Sequence, residues 1–270
     1  MDEVMPRMTV PEVIKTKGQR KLTMLTAYES AMARFVDQGG IDMILVGDSL
    51  AMVVLGHEDT LSVTMDEMLH HTRAVTRVAG NSLIVADLPF MSYQVSVEEA
   101  VINAGRMLKE GRAGAVKVEG GDSILPQIQG MVKAGIPVMG HLGLTPQSIA
   151  HFGGFKVQGR GEAGEKIVQE ARKLEEAGCF SLVLEAVPPG LASRITSSLN
   201  IPTIGIGAGL ECDGQVLVIN DLLGMSTGPG PRFVKKYADL AGVISEAVER
   251  YRREVQNGEF PDESHCYKDS

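Results

Sequence analysis

Residues 83–87 read Leu-Ile-Val-Ala-Asp and residues 115–119 read Ala-Val-Lys-Val-Glu, with the run Met-Ile-Leu-Val-Gly at 43–47 upstream of both. Short aliphatic runs of this kind suit parallel strands covered on both faces by helices. Outward from them the pattern recurs at Leu22–Ala27, Ile136–Gly140, Ser181–Glu185, Thr203–Gly207 and Val216–Ile219, eight runs in all. Amphipathic helical stretches fill the intervals. Thr64 with Glu67, and Ser96 with Glu99, have the capping-box spacing that opens a helix. Ala163, Ile167, Ala171 and Leu174 mark one face of a helix over 163–177. A stripe through Tyr237, Leu240, Ile244, Ala247 and Tyr251 predicts a last helix over 233–255, and Thr9, Pro11 and Glu12 predict a short extra helix before the first strand.

Eight alternating strand–helix units in about 220 residues is the count of a closed barrel. An open sheet for a dinucleotide would show G-x-G-x-x-G after its first strand. The comparable cluster, Gly205, Gly207 and Gly209, lies late in the chain, and Leu210 breaks its spacing. The expected fold is therefore α/β, a (β/α)8 TIM barrel in a single domain over 1–270, with a polar tail from about residue 259. With 44% hydrophobic and 22% charged residues the chain is globular rather than disordered. Its 34 acidic and 26 basic residues give a net charge of −8, which argues against nucleic-acid and anionic-membrane partners. Cys179, Cys212 and Cys266 are too scattered for a disulfide framework or a thiolate zinc site, so a reducing cytoplasm is the expected compartment. The N-terminal residues lack the basic start and apolar core of a secretory signal. The longest uncharged stretch, 134–155, is broken by histidine, proline and glycine and does not read as a membrane span.

In such a barrel, chemistry gathers at the C-terminal ends of the strands. Asp48 and Ser49 follow the second run, and Asp87 ends the third. Lys117 and Glu119, two apart and so on one side, end the fourth; His141 follows the fifth and Glu185 ends the sixth. Neighbouring strands lie ~4.8 Å apart, so Asp48, Asp87 and Glu119 meet at one rim, where they must protonate or hold a cation. Oxygen donors alone favour Mg²⁺. Any one such acid also reads as a helix cap or a surface ion pair; three in succession point to the cation. Glu185, followed by Ala-Val-Pro-Pro, is either a general base raised by apolar surroundings or a buried glutamate paired with Arg or Lys. His141 reads as a proton carrier, a donor to substrate, or a hydrogen-bonded core histidine. Lys117 needs a charged partner, supplied by Glu119 or by an anionic substrate. His57, His70, His71, His151 and His265 have no metal spacing. Gly-Asp-Ser-Leu at 47–50 with Asp262-x-x-His265 imitates an esterase motif, but that reading leaves Asp87, Glu119 and Glu185 idle.

Six blocks in series carry a family resemblance: V-G-D-S-L (46–50), A-D-L-P-F-M-S-Y (86–93), V-K-V-E-G-G (116–121), G-H-L-G-L-T-P-Q-S (140–148), F-G-G-F-K-V-Q-G-R-G (152–161) and I-G-I-G-A-G (204–209). Together, from about Thr9 to Phe260, the chain resembles ketopantoate hydroxymethyltransferases. The resemblance implies a Mg²⁺-dependent transferase on a (β/α)8 barrel, typically a homodecamer. It would move a hydroxymethyl group from 5,10-methylenetetrahydrofolate to 3-methyl-2-oxobutanoate in pantothenate biosynthesis, giving 2-dehydropantoate and tetrahydrofolate. It also implies Asp48, Asp87 and Glu119 as the metal-site carboxylates and Glu185 as the proton acceptor. Asp48, Ser49, Asp87, Lys117 and His141 would contact substrate. Two rivals stand beside it: a lyase or mutase of the phosphoenolpyruvate-mutase type, and a catalytically silent barrel serving as a binding module.

Overall fold

The structure, a computed structural model, describes residues 7–149, 154, 157–226 and 230–268. His151, residues 152, 153, 155 and 156 of the fifth sequence block, and the first six residues lie outside that description. The described chain gathers into two compact units, Met1–Val218 and Ile219–Ser270.

In the first unit the strands β1 (Leu22–Thr26), β2 (Met43–Val46), β3 (Leu83–Asp87), β4 (Ala115–Glu119), β5 (Val138–Gly143), β6 (Ser181–Glu185), β7 (Thr203–Ile206) and β8 (Gly214–Leu217) close into one parallel barrel in chain order. The predicted fold class is the observed one. β1, β2 and β7 end one residue before their apolar runs do, and two strands start elsewhere than their runs. β5 starts at Val138, because Pro137 has no amide to donate to the ladder, and runs on through His141 to Gly143. β8 starts at Gly214, whose Cβ-less backbone lies against the Leu22 carbonyl where a side chain would collide.

Strand alternation sorts the barrel interior into layers. Leu22, Met24, Met43, Leu83, Val85, Ala115, Met139, Val183, Ile204 and Val216 form the inner apolar cluster, each contributing roughly 1.5–3 kcal/mol if fully buried. One step further along the same inward rows come Asp87, Lys117, His141 and Glu185, and two steps along β4 comes Glu119. Val13 of the N-terminal helix Val10–Lys15 belongs to the same cluster. That helix is tied down at the strand starts by Met8 N–H to the Asn81 carbonyl (2.6 Å) and by Lys17 Nζ to Asp213 Oδ2 (2.7 Å). The apolar plug therefore closes one end of the barrel and leaves the ionisable layer at the other.

The predicted caps appear. Thr64 Oγ1 accepts from the Glu67 amide while the Glu67 carboxylate accepts from the Thr64 amide, opening helix Met65–Thr76. Ser96 accepts from the Glu99 amide at the start of Val97–Lys109. The 163–177 stripe forms helix Glu162–Glu176. In the second unit the long helix spans Leu240–Gln256 rather than starting at Phe233, because Asp239 takes the N-cap position and accepts from the Gly242 amide. Among the described residues no helix is long and apolar enough to cross a membrane.

Candidate active site

Register places the site. Asp87 pairs with Lys117 across β3 and β4, Glu119 with His141 across β4 and β5, and Gly143 with Glu185 across β5 and β6. Side chains at paired positions in adjacent parallel strands point the same way, so these groups become neighbours. Lys117 Nζ lies 2.9 Å from Asp87 Oδ1 and 3.6 Å from Glu119 Oε1. His141 Nδ1 lies 3.2 Å from Glu119 Oε1, and its Nε2 lies 3.2 Å from Glu185 Oε2. Asp48, in the turn after β2, donates its amide to Asp87 Oδ2 at 3.0 Å. The Ser49 hydroxyl is 2.8 Å from the Tyr28 hydroxyl. All seven sequence-predicted residues thus stand at one mouth of the barrel. Asp48, Asp87, Lys117, Glu119 and His141 are buried, whereas the Glu185 side chain keeps 14% of its surface.

Four carboxyl groups here face one ammonium and one imidazole. Burial pushes the Asp48 carboxyl well above the usual range, with Asp87 and Glu119 adding like charge. Burial also raises Asp87, and the adjacent Lys117 only partly offsets it. Glu119 goes the other way: burial opposes its ionisation, but His141 and Lys117 outweigh that and hold it below the usual range. Burial and Lys117 oppose a charge on His141, yet Glu119 and Glu185 win and lift it to about 9. Lys117 is raised against its burial by Asp87, Glu119 and Asp48. The imidazole thus lies between two glutamates, which favour charge on it, while Lys117 Nζ, 3.3 Å from its Nδ1, opposes that charge. This corrects the picture of Glu185 as an acid in purely apolar surroundings, because its carboxylate faces His141.

The backbone fixes Glu185 as well. Ala186 adopts a left-handed conformation (φ +48°), which turns the chain out of β6 directly after it. Gly143 has φ +95°, and a Cβ there would drive into the Glu185 carbonyl and Val187. Leu144 N–H donates to that carbonyl at 2.8 Å.

A hard divalent cation fits the donor set, which is all carboxylate oxygen and carries more negative than positive charge. Asp87 Oδ1 is buried without an aligned hydrogen bond, since Lys117 lies close but off its axis. Among the described residues no three His, Cys, Asp or Glu side chains are already gathered as a cation cage. Asp48 and Asp87 are adjacent, while Glu119 is engaged by His141 and by the Gln147 amide (2.9 Å).

Two residues in the quoted blocks were passed over by sequence reasoning. Tyr93 is fully buried with its hydroxyl on Glu119 and Gln147, and Gln147 reaches Asp48. Neutral loop side chains carry no charge pattern; their place within the blocks, close after the acids, was the available signal. Of the esterase imitation, Ser49 bonds the Tyr28 hydroxyl, and Asp262 and His265 bond each other (2.7 Å) at an exposed site.

Fold and site together define a (β/α)8-barrel enzyme with its acid–base groups sealed in one mouth. Solved barrels of similar shape include phosphonopyruvate hydrolase, at TM-score 0.63 and 12% identity over 97% of this chain and 92% of that one. Another is the phosphoenolpyruvate phosphomutase of Streptomyces platensis subsp. rosaceus, at 0.62 and 14% over 93% and 88%. Residues 7–263 match the family described as ketopantoate hydroxymethyltransferase, and the chain belongs to that family. The 3-methyl-2-oxobutanoate hydroxymethyltransferase of Syntrophobacter fumaroxidans is 61% identical over 260 residues, 96% of this chain and 92% of the relative. That of Moorella thermoacetica is 58% identical over 265 residues, 97% and 98% of the two chains.

Proposed function

We propose that this enzyme transfers a hydroxymethyl group from 5,10-methylenetetrahydrofolate to 3-methyl-2-oxobutanoate, releasing tetrahydrofolate and 2-dehydropantoate for pantothenate biosynthesis in the cytoplasm. The observation that carries the reading is the chain of contacts Asp87–Lys117–Glu119–His141–Glu185, a carboxylate paired with an imidazole beside an acidic pocket. Asp48, Asp87 and Glu119 would hold Mg²⁺. Bound there, the ion supplies electrophilic stabilisation for charge developing on the keto oxygen of the substrate. Glu185 takes the C3 proton, and His141 Nε2, 3.2 Å from its carboxylate, orients it. Lys117 sets positive charge near the same oxygen. Ser49, oriented by Tyr28, donates to the substrate carboxylate. The C3 electron pair forms the new bond to the one-carbon unit, both carbon–nitrogen bonds that hold that unit to the folate break, and water supplies the hydroxyl, while the C3 proton and the remaining water proton end on the two folate nitrogens. The family resemblance further supports a homodecamer.

Glu185→Gln tests the assignment. It is expected to bind keto acid and Mg²⁺ as the parent does and to lose exchange of the C3 proton in D2O by about 10²–10⁴-fold. Parental exchange in that variant would remove Glu185 from its role. Turnover that persists without folate would instead favour a lyase or mutase of the kind named among the structural neighbours.

A further inference from the structure

Gln147 sits in the single 3-10 turn Pro146–Ser148 after β5 and is 5% exposed. Its backbone amide donates to Glu119 Oε2 at 2.9 Å. Its side-chain Nε2 donates to Asp48 Oδ2 and to the Leu88 carbonyl, each at 2.9 Å. Its Oε1 accepts from the Tyr93 hydroxyl at 2.7 Å and from Gln94 Nε2 at 3.2 Å. A carboxamide has two donor hydrogens and two acceptor lone pairs, and here all four are used. The flip state is thereby settled: nitrogen faces two acceptors and oxygen faces two donors. The Tyr93 hydroxyl accepts from the Glu119 amide at 3.0 Å, and its one proton faces the Gln147 oxygen at 2.7 Å and the Glu119 carbonyl at 3.0 Å, Gln147 being the shorter contact.

One residue thus ties together two carboxylates that come from opposite sides of β3. It does so with neutral donors. A lysine at this position would set a full positive charge against the Asp48 oxygen and cancel the negative charge that attracts a cation. The carboxamide orients the oxygens and leaves their charge intact.

From this we infer that Gln147 is a positioning residue for the cation site: its side chain holds one oxygen of Asp48 and its backbone amide one of Glu119, with Tyr93 fixing the direction of the carboxamide. The inference rests on the proposed Mg²⁺ role of those two acids. Partners that orient metal-binding side chains typically change affinity by 10–100-fold when removed.

The test is calorimetric titration of Mg²⁺, and separately Mn²⁺, into the metal-stripped full chain. The arms are the parent, Gln147→Met, which keeps length, removes the side-chain donors on Asp48 and leaves the backbone amide on Glu119, and Tyr93→Phe, which removes one hydroxyl. Gln147→Met is expected to raise Kd for both ions by about 10–100-fold, and Tyr93→Phe to raise it less. Turnover of Gln147→Met should return when Mg²⁺ is raised in proportion, a rescue that damage to the fold alone would not show. If Gln147→Met does not fold, the Tyr93→Phe affinity decides. A parent that binds Mg²⁺ with variants of parental affinity overturns the inference and leaves the metal assignment standing. A parent that binds neither ion overturns both.

Discussion

Lys117 supplies an ammonium to a mouth lined by four carboxyl groups, and Lys117→Met removes that charge while keeping the length of the side chain. Lys117 and Asp87 are each 3% exposed and Glu119 is 6% exposed, so none of the three can turn to water. Taking one partner from a buried ion pair costs about 3–5 kcal/mol. The 2.9 Å contact to Asp87 sets that figure; Glu119, at 3.6 Å, keeps His141 as a second counter-charge. In a chain of this length each kcal/mol moves Tm by roughly 2–4 °C, so a loss of ~4 kcal/mol means a fall of about 8–16 °C. The measurement is thermal and urea unfolding followed by circular dichroism, with a chelator present. The sign with pH follows from the acids. Asp48 and Asp87 are raised in the folded state, so the folded chain takes up protons at a pH where the unfolded chain has already lost them. Acidification therefore stabilises the fold at these two groups, and more so once Lys117 is gone. The deficit of the variant should be full at about pH 7.5 and shrink as pH falls through the folded values of these acids. A loss below about 1 kcal/mol at neutral pH, or an equal loss at acid pH, would refute the reasoning, since a buried unpaired charge requires both effects.

Asp87→Asn should weaken Mg²⁺ binding by about tenfold or more, read by calorimetry; an unchanged titration contradicts the ligand assignment. Gly143→Ala asks a residue at φ +95° to carry a Cβ against the Glu185 carbonyl, and should cost about 1–3 kcal/mol in urea unfolding together with C3-proton exchange. Intact exchange would show that the Gly143–Glu185 approach does not hold the base. Asp37→Ala should destabilise the barrel by roughly 3 kcal/mol, because the carboxylate accepts from the amides of Gly80, Asn81 and Ser82. Burial opposes the Asp37 charge, but those donors outweigh it and lower its pKa. Its contribution is therefore present above the unfolded carboxyl value and lost as pH falls through the folded one. The gap between parent and variant should close in acid urea titrations.

The eight apolar runs, the capping residues and the polar residue closing each run are properties of the covalent chain, and they were enough to predict a barrel and to name Asp48, Asp87, Lys117, Glu119, His141 and Glu185. Period-2 alternation and strand ends are local facts, so the sequence carries them directly. Strand bounds shifted where backbone chemistry, such as Pro137 ahead of β5, overrode hydropathy. Which groups touch depended on register and closure. Residues 99 apart, Asp48 and Gln147, became hydrogen-bonded only because three strands separate their loops around a closed ring. The register of β4, β5 and β6 set His141 between two glutamates, a pairing that sequence left open. Such pairings depend on distances of a few ångströms between segments remote along the chain. Linear order holds no record of those distances; folding into the barrel creates them.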